Sequence, residues 1–74
     1  MLKDCSGRIK NGEKIDRVLN VGRIEIDLAG FILDYLEARH ALTLMPIESP
    51  KDGPVRLLVA AKLGKTRLID NIGV

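Results

Sequence analysis

The 74-residue sequence is poor in the residue types that most often carry a site. It has one cysteine, Cys5, and one histidine, His40, so no internal disulfide can form and no Cys/His cluster has zinc spacing. Tryptophan is absent and aromatics make up 3%, namely Phe31 and Tyr35. The core must therefore be aliphatic, and the stacking platforms of single-strand nucleic-acid binders are missing. Neither sign of charge dominates. Lys and Arg number 12 against 10 Asp and Glu, a net +2 interspersed along the chain. A concentrated basic face is not visible, so nucleic acid is not an expected partner. Long hydrophobic runs are also lacking: the longest, Leu57 to Ala61, is far too short to span a bilayer. The opening MLKDCSGRIK has no apolar stretch of the signal-peptide kind. These absences lead to the expectation of a cytoplasmic protein with no membrane partner and no structural metal.

What is present is a globular composition, 46% hydrophobic and 30% charged. A chain of this length forms one domain, 1–74, and buries only roughly 60% of the surface exposed by its unfolded form.

The first segment, LKDCSGRIKNG, places Leu2, Cys5 and Ile9 at helical spacing and ends in Asn11-Gly12, a stop signal. It reads as a short helix, or as the tail of a longer one. From Glu13 a stripe of Ile15, Val18, Leu19, Gly22, Ile26 and Ala29 predicts a second helix. Glu13 and Asp16 would lie in its first turn, at the positive end of the dipole, with Gly30 closing it. RIEIDL, residues 23–28, alternates with the period of a strand, but the longer stripe includes Ile26 and favours the helix.

FILDYLEARHA, residues 31–41, predicts a strand with Leu36 and Ala38 on one face and Tyr35, Glu37 and Arg39 on the other. Leu44 to Ile47 is a brief extended piece whose Pro46 suits a sheet edge. ESPKDGP, residues 48–54, is the clearest loop. VRLLVAAKLG, residues 55–64, is nearly continuous apolar, as expected of a central strand buried on both faces. TRLIDNIGV follows as another strand. The expected fold class is α+β, two helices packed on a small antiparallel sheet of about three strands.

Gly64-Lys65-Thr66 imitates the end of a nucleotide-binding P-loop, G-x-x-x-x-G-K-[ST]. The first glycine of that pattern would fall at Val59, and nothing between supplies a phosphate cradle. The bulky, β-prone residues after Lys65 do not start a helix. Gly64-Lys65 instead reads as the two-residue turn of a β-hairpin, with glycine supplying positive φ at the first central position.

His40 has no neighbouring Ser, Cys or second His, so a surface position at a strand end is expected. Cys5 reads as a partly buried, unreactive thiol. Lys62, Lys65 and Arg67 bracket the hairpin and form a candidate basic tip for an anion; the plainer reading is a solvated tip. Arg67 could also pair with Asp70 or Glu37 and serve stability alone. The acids Glu13, Asp16, Glu25 and Asp27 show no paired arrangement for general acid/base work. Residue chemistry alone yields no catalytic, cofactor-binding or metal site.

Two blocks carry a resemblance. DYLEARHALTLMPI is similar to the DYLEARDAETLEPV-like segment of the pantoate–β-alanine ligase (pantothenate synthetase) family. LLVAAKLGKTRLIDN resembles that family's LLVAARLGKTRLIDN in a nearly uninterrupted match. The likeness is strong from Asp34 onward and rests on pattern alone before it. His40 stands where many members have an acid, and Leu42 where glutamate is common. The resemblance implies the C-terminal domain of a ligase that adenylates pantoate with Mg-ATP and passes the acyl group to β-alanine. It implies that a separate N-terminal Rossmann-like domain holds the His-Ile-Gly-His-like and Lys-Met-Ser-Lys-Ser-like motifs, both absent here. This domain would serve as a lid, in a homodimeric cytoplasmic parent of coenzyme A biosynthesis, and would bind neither ATP nor Mg alone. The alternative is a free-standing anion-binding module or a structural interaction domain.

Overall fold

The computed structural model describes residues 2–74. Two helices, α1 (Leu2–Lys10) and α2 (Ile15–Leu28), precede three strands, β1 (Ile32–His40), β2 (Val55–Leu63) and β3 (Thr66–Gly73). The sheet is antiparallel in the order β1-β2-β3, so the α+β expectation is met.

Both helices end as their glycines predict. In α1 the Gly12 N–H donates to the Ile9 carbonyl at 3.1 Å and the Glu13 N–H to Arg8 at 3.1 Å, with Gly12 at φ 96°. In α2 the Gly30 N–H donates to Asp27 at 3.0 Å and the Phe31 N–H to Ile26 at 3.2 Å, with Gly30 at φ 88°. This paired arrangement satisfies carbonyls that a helix end would otherwise leave bare. The RIEIDL alternation does not make a strand. Ile26 is buried while Ile24 is 60% exposed, as the stripe through Ile15, Val18, Leu19 and Gly22 requires. Two details differ from expectation. Glu13 precedes α2, which is flanked by Lys14, so Asp16 is the acid in its first turn. Ala29 ends the helix and is exposed.

Along β2, Val55, Leu57, Val59 and Ala61 face the helices and are buried. Their neighbours on β1 include Leu36, opposite Val59, and Ala38, opposite Leu57. On β3 the matching residues are Ile72, Asp70 and Leu68. α2 lies over β1, and the Arg23 guanidinium ties the two by donating from Nη2 to the Leu36 carbonyl at 2.7 Å. α1 lies beside α2 and over β3.

Burial of β2 on both faces, expected from its apolar run, holds only in part. The second face carries Arg56 and Leu58 half-buried and Lys62 exposed. Ala60 on that face is 0% exposed, with Tyr35 and Ile69 as its cross-strand neighbours. Among the described residues no helix covers this side, and large cross-strand side chains shelter only the small alanine.

Cys5 is more buried than expected, 4% exposed in the α1–α2 core. Burial first, then the nearby charges of Asp4 and Glu25, push its thiol pKa up. The chain between β1 and β2 is held by backbone bonds around His40 and by an Arg39–Pro46 bridge, which places the expected edge piece against β1. A short 3-10 turn, Pro50–Asp52, follows Ser49, whose hydroxyl accepts the Lys51 N–H at 3.2 Å.

Gly64 has φ 60°, whereas Lys65 has negative φ, the pattern of a hairpin turn that opens on glycine. Gly64→Ala has open space for its methyl group, so its expected cost is conformational, about 1 kcal/mol. Gly53 has φ 141°, and a Cβ there would run into the His40 ring. Gly53→Ala should therefore lower the melting temperature further than Gly64→Ala; the reverse order would overturn this account of the two turns. For Cys5 the raised folded-state pKa means folding favours the neutral thiol. That contribution is complete below the ordinary thiol pKa, and it fades as pH rises through the folded value. Denaturant midpoints at pH 7 and above pH 9 should show a loss that Cys5→Ala does not share. Alkylation of the native chain at pH 7 should also be slow compared with the unfolded chain.

Candidate functional site: a basic hairpin tip

The three cations predicted at the hairpin are brought together, in unequal states. Lys62 and Arg67 are directly opposite one another on β2 and β3, and Lys65 occupies the turn. All three are exposed. Like charges opposite each other on a sheet repel, so the pair needs compensation. Arg67 finds it in neither Asp70 nor Glu37, the two partners considered from sequence. Its Nη2 lies 3.2 Å from Oδ2 of Asp34. Asp70 instead accepts the Asn71 N–H at 2.8 Å, and Glu37 pairs with Arg39 at 2.8 Å.

The Arg67–Asp34 pairing was not legible from sequence because it spans the sheet. β1 and β3 are separated by β2, a distance of two strand spacings, or ~9.6 Å. Asp34 sits where the β1–β2 register shifts between Leu33 and Tyr35, a bulge that re-aims its side chain. A lone register shift leaves little trace in composition. The phase change is visible only afterwards: Leu33 and Leu36 both face the helices although they are three positions apart, an odd spacing.

With Arg67 partly neutralised, Lys62 and Lys65 are the tip's uncompensated charges. Neither joins an ion pair among the described residues. The tip is therefore an exposed pair of ammonium groups with a guanidinium–carboxylate pair behind it. Such an arrangement can attract an anion, but it contains no nucleophile and no buried acid or base.

The remaining candidates do not assemble into a catalytic site. His40 ends β1 half-buried, with its Nδ1 accepting the Leu42 N–H at 3.2 Å and the Thr43 N–H at 3.4 Å. It closes the turn rather than facing an open surface. Cys5 lies in the helical core, remote from the tip. Among the described residues no group of three His, Cys, Asp or Glu is placed to hold a metal ion. A broad cleft of about 800 Å³ lies between the α1–α2 turn and residues 48–52. Lys10, Lys14 and Lys51 alternate there with Glu13, Asp16, Glu48 and Asp52, so it favours neither sign. No helix among the described residues is long and apolar enough to cross a membrane.

Comparison with known proteins gives these features a family context. The model of the family described as pantoate-beta-alanine ligase matches residues 1–73. The chain is 66% identical over 73 residues to a pantothenate synthetase of Rhodopseudomonas palustris (strain ATCC BAA-98 / CGA009), covering 99% of this chain and 26% of that protein. It is 62% identical over 73 residues to a pantothenate synthetase of Nitrobacter winogradskyi, with the same coverage. Pantothenate synthetase 2 of Bradyrhizobium diazoefficiens is 60% identical over 73 residues. The chain thus spans about a quarter of the length of these relatives, the C-terminal 26% of the first. The alternative of a free-standing binding module finds no support in these matches. With the match running from α1 through the hairpin tip to the end of β3, the chain belongs to the pantoate-beta-alanine ligase family.

Proposed function

We propose that this chain is the C-terminal domain of an ATP-dependent pantoate–β-alanine ligase and closes over its active-site cleft as a lid. The observation that carries the reading is the family match over residues 1–73, in a chain that covers 26% of a pantothenate synthetase. In the whole enzyme the carboxylate of pantoate would attack ATP to give an acyl-adenylate and pyrophosphate. The amine of β-alanine would then displace AMP and form the amide of pantothenate, on the way to coenzyme A. We place this enzyme in the cytoplasm, as a homodimer whose N-terminal Rossmann-like domain is the partner of this one.

ATP and Mg do not fit the residues of this chain. Val59 replaces the glycine that a phosphate-binding loop needs, and no acidic cluster is present among the described residues. No chemical step is assigned here. The contribution of a lid is to exclude water from a hydrolysable adenylate and to bring fixed charge to the reactants on closure. Lys62 and Lys65 suit that part, since a tight hairpin carries them without reorganisation. Charge that engages only on closure raises turnover, whereas uniform binding would lower KM alone.

Three outcomes are expected. The purified 74-residue chain should form no AMP from ATP, pantoate and β-alanine, and measurable AMP formation would refute the assignment of chemistry to the other domain. In an intact ligase carrying this chain as its C-terminal part, Lys65→Ala should lower kcat/KM by roughly three- to tenfold with an unchanged melting temperature. Arg67→Ala should do likewise while costing at most about 1 kcal/mol of stability, the usual ceiling for an exposed pair. Normal kinetics in both variants would remove the tip from the cleft.

A further inference from the structure

The register puts Arg39, Arg56, Lys62 and Arg67 on the open face of the sheet, and they are held very differently. Arg39 is closed off: its Nε and Nη2 both donate to Oε2 of Glu37, at 3.1 and 2.8 Å. Arg56 donates from Nη1 to Oδ1 of Asn71. Arg67 has a single contact, Nη2 to Oδ2 of Asp34 at 3.2 Å, with side chains 50% and 40% exposed. The Asp34 carboxylate has no second partner among the described residues. Geometry makes the difference. Glu37 and Arg39 are neighbours on one strand face, whereas Asp34 and Arg67 reach toward each other over β2, with backbones ~9.6 Å apart. A solvated pair with one contact exchanges partners readily. The helix side of this end offers an anion nothing. There an apolar groove of about 390 Å³, lined by Leu2, Ile26, Phe31, Val59, Ala61 and Leu68, carries one charged residue, Asp70.

We infer that Lys62, Lys65 and Arg67 form a site for a diphosphate, and that Asp34 is its internal counter-anion, from which the ligand takes Arg67. This deepens the proposed function and rests on its reading of the tip as the place where an anion is met. Charge selects the ligand class. Three cations and one carboxylate leave the free tip with two positive charges. A monocarboxylate competes with Asp34 on equal terms and gains nothing from the exchange. A diphosphate brings more charge than Asp34, on two adjoining phosphoryl groups. Lys62 and Arg67 are directly opposite, their backbones ~5 Å apart, so each phosphoryl group can meet one of them. Lys65, in the turn, closes the third side. A guanidinium can give phosphate two parallel N–H donors, against its one contact to Asp34. Among the described residues no acidic group is placed to hold a metal, so recognition is of the phosphate oxygens themselves. Asp34 is thus a positioning residue. Its loss would remove a competitor and raise the charge of the tip, and so would tighten binding even though an ion pair is lost.

The test titrates the 74-residue chain with metal-free pyrophosphate at low salt, where exposed charges are least screened, and follows the amide NMR shifts of Lys65 and Arg67. Pyrophosphate should bind at least about tenfold more tightly than acetate. Asp34→Asn should tighten pyrophosphate binding by roughly three- to tenfold, and Asp34→Glu, which keeps the counter-charge, should stay within about twofold of the unaltered chain. Glu37→Gln removes the same charge from the same face behind a closed pair, and should also stay within about twofold. Absence of pyrophosphate binding, or binding unchanged or weakened in Asp34→Asn, would overturn the inference. An equal gain in Glu37→Gln would do so too, since it would reduce the effect to net charge. Should Asp34→Asn fail to fold, the unaltered chain still decides. Its Asp34 carboxylate carbon resonance should move as pyrophosphate draws Arg67 away, and a static resonance in the bound state rules the exchange out. Kinetics of Lys65→Ala in an intact ligase test the lid reading separately. Pyrophosphate binding with normal kinetics keeps the site and removes the lid role, and slowed kinetics without pyrophosphate binding does the reverse.

Discussion

The structure depends on β2 being paired on both sides. Its ladder to β1 and its ladder to β3 together place Val55, Leu57, Val59 and Ala61 in one row, and that row is the floor of the core. Both helices need it. α1 and α2 are amphipathic, and each buries one stripe against this floor; neither is long enough to be stable in water alone. With only Phe31 and Tyr35 as aromatics, no large ring can fill a gap, so the aliphatic row must be continuous. Leu57, in its middle, is 0% exposed.

The polar features follow from the same ladder. Because β2 is central, charge on β1 and β3 can meet only by crossing it, and the bulge at Asp34 makes that crossing possible for Arg67. The pairing offsets repulsion between Arg67 and Lys62, which the register sets face to face. Lys62 and Lys65 are left as the tip's unpaired cations. At the opposite end, His40 closes the β1–β2 connection by accepting two turn N–H groups at Nδ1. Gly53 is needed beside it because the imidazole occupies the space of a Cβ.

Much of this was legible in the sequence because it is written in short-range patterns. Periodicity gave α2, including the choice of helix over strand at Ile24–Ile26, since burial follows the longer stripe rather than the local alternation. Asn11-Gly12, Gly30 and Gly64 each marked an end or a turn by the one conformation that glycine adopts freely. What escaped was set by three-dimensional register. Nothing local distinguishes Asp34 from Asp70 as the partner of Arg67. The run from Leu57 to Ala61 suggested burial on both faces, yet only one face is covered by helices. His40 appeared to be a surface residue because its partners are backbone groups, which the sequence does not display. The tip residues themselves were legible, but their division into paired and unpaired charge was not.

The groove and the tip share the hairpin end of the sheet. A lid must carry its charges to the cleft with little error, and a displacement of about 1 Å in a positioning element can cost on the order of a hundredfold in rate. At the hairpin end of β2 and β3, Leu63, Leu68 and Ile69 are 48%, 48% and 66% exposed. Two strands projecting beyond their helix layer have a weak restoring force. The Arg67–Asp34 ion pair ties β3 to β1 across β2 at this end. The exposed apolar edge and the placement of charge thus meet at the same end of the sheet.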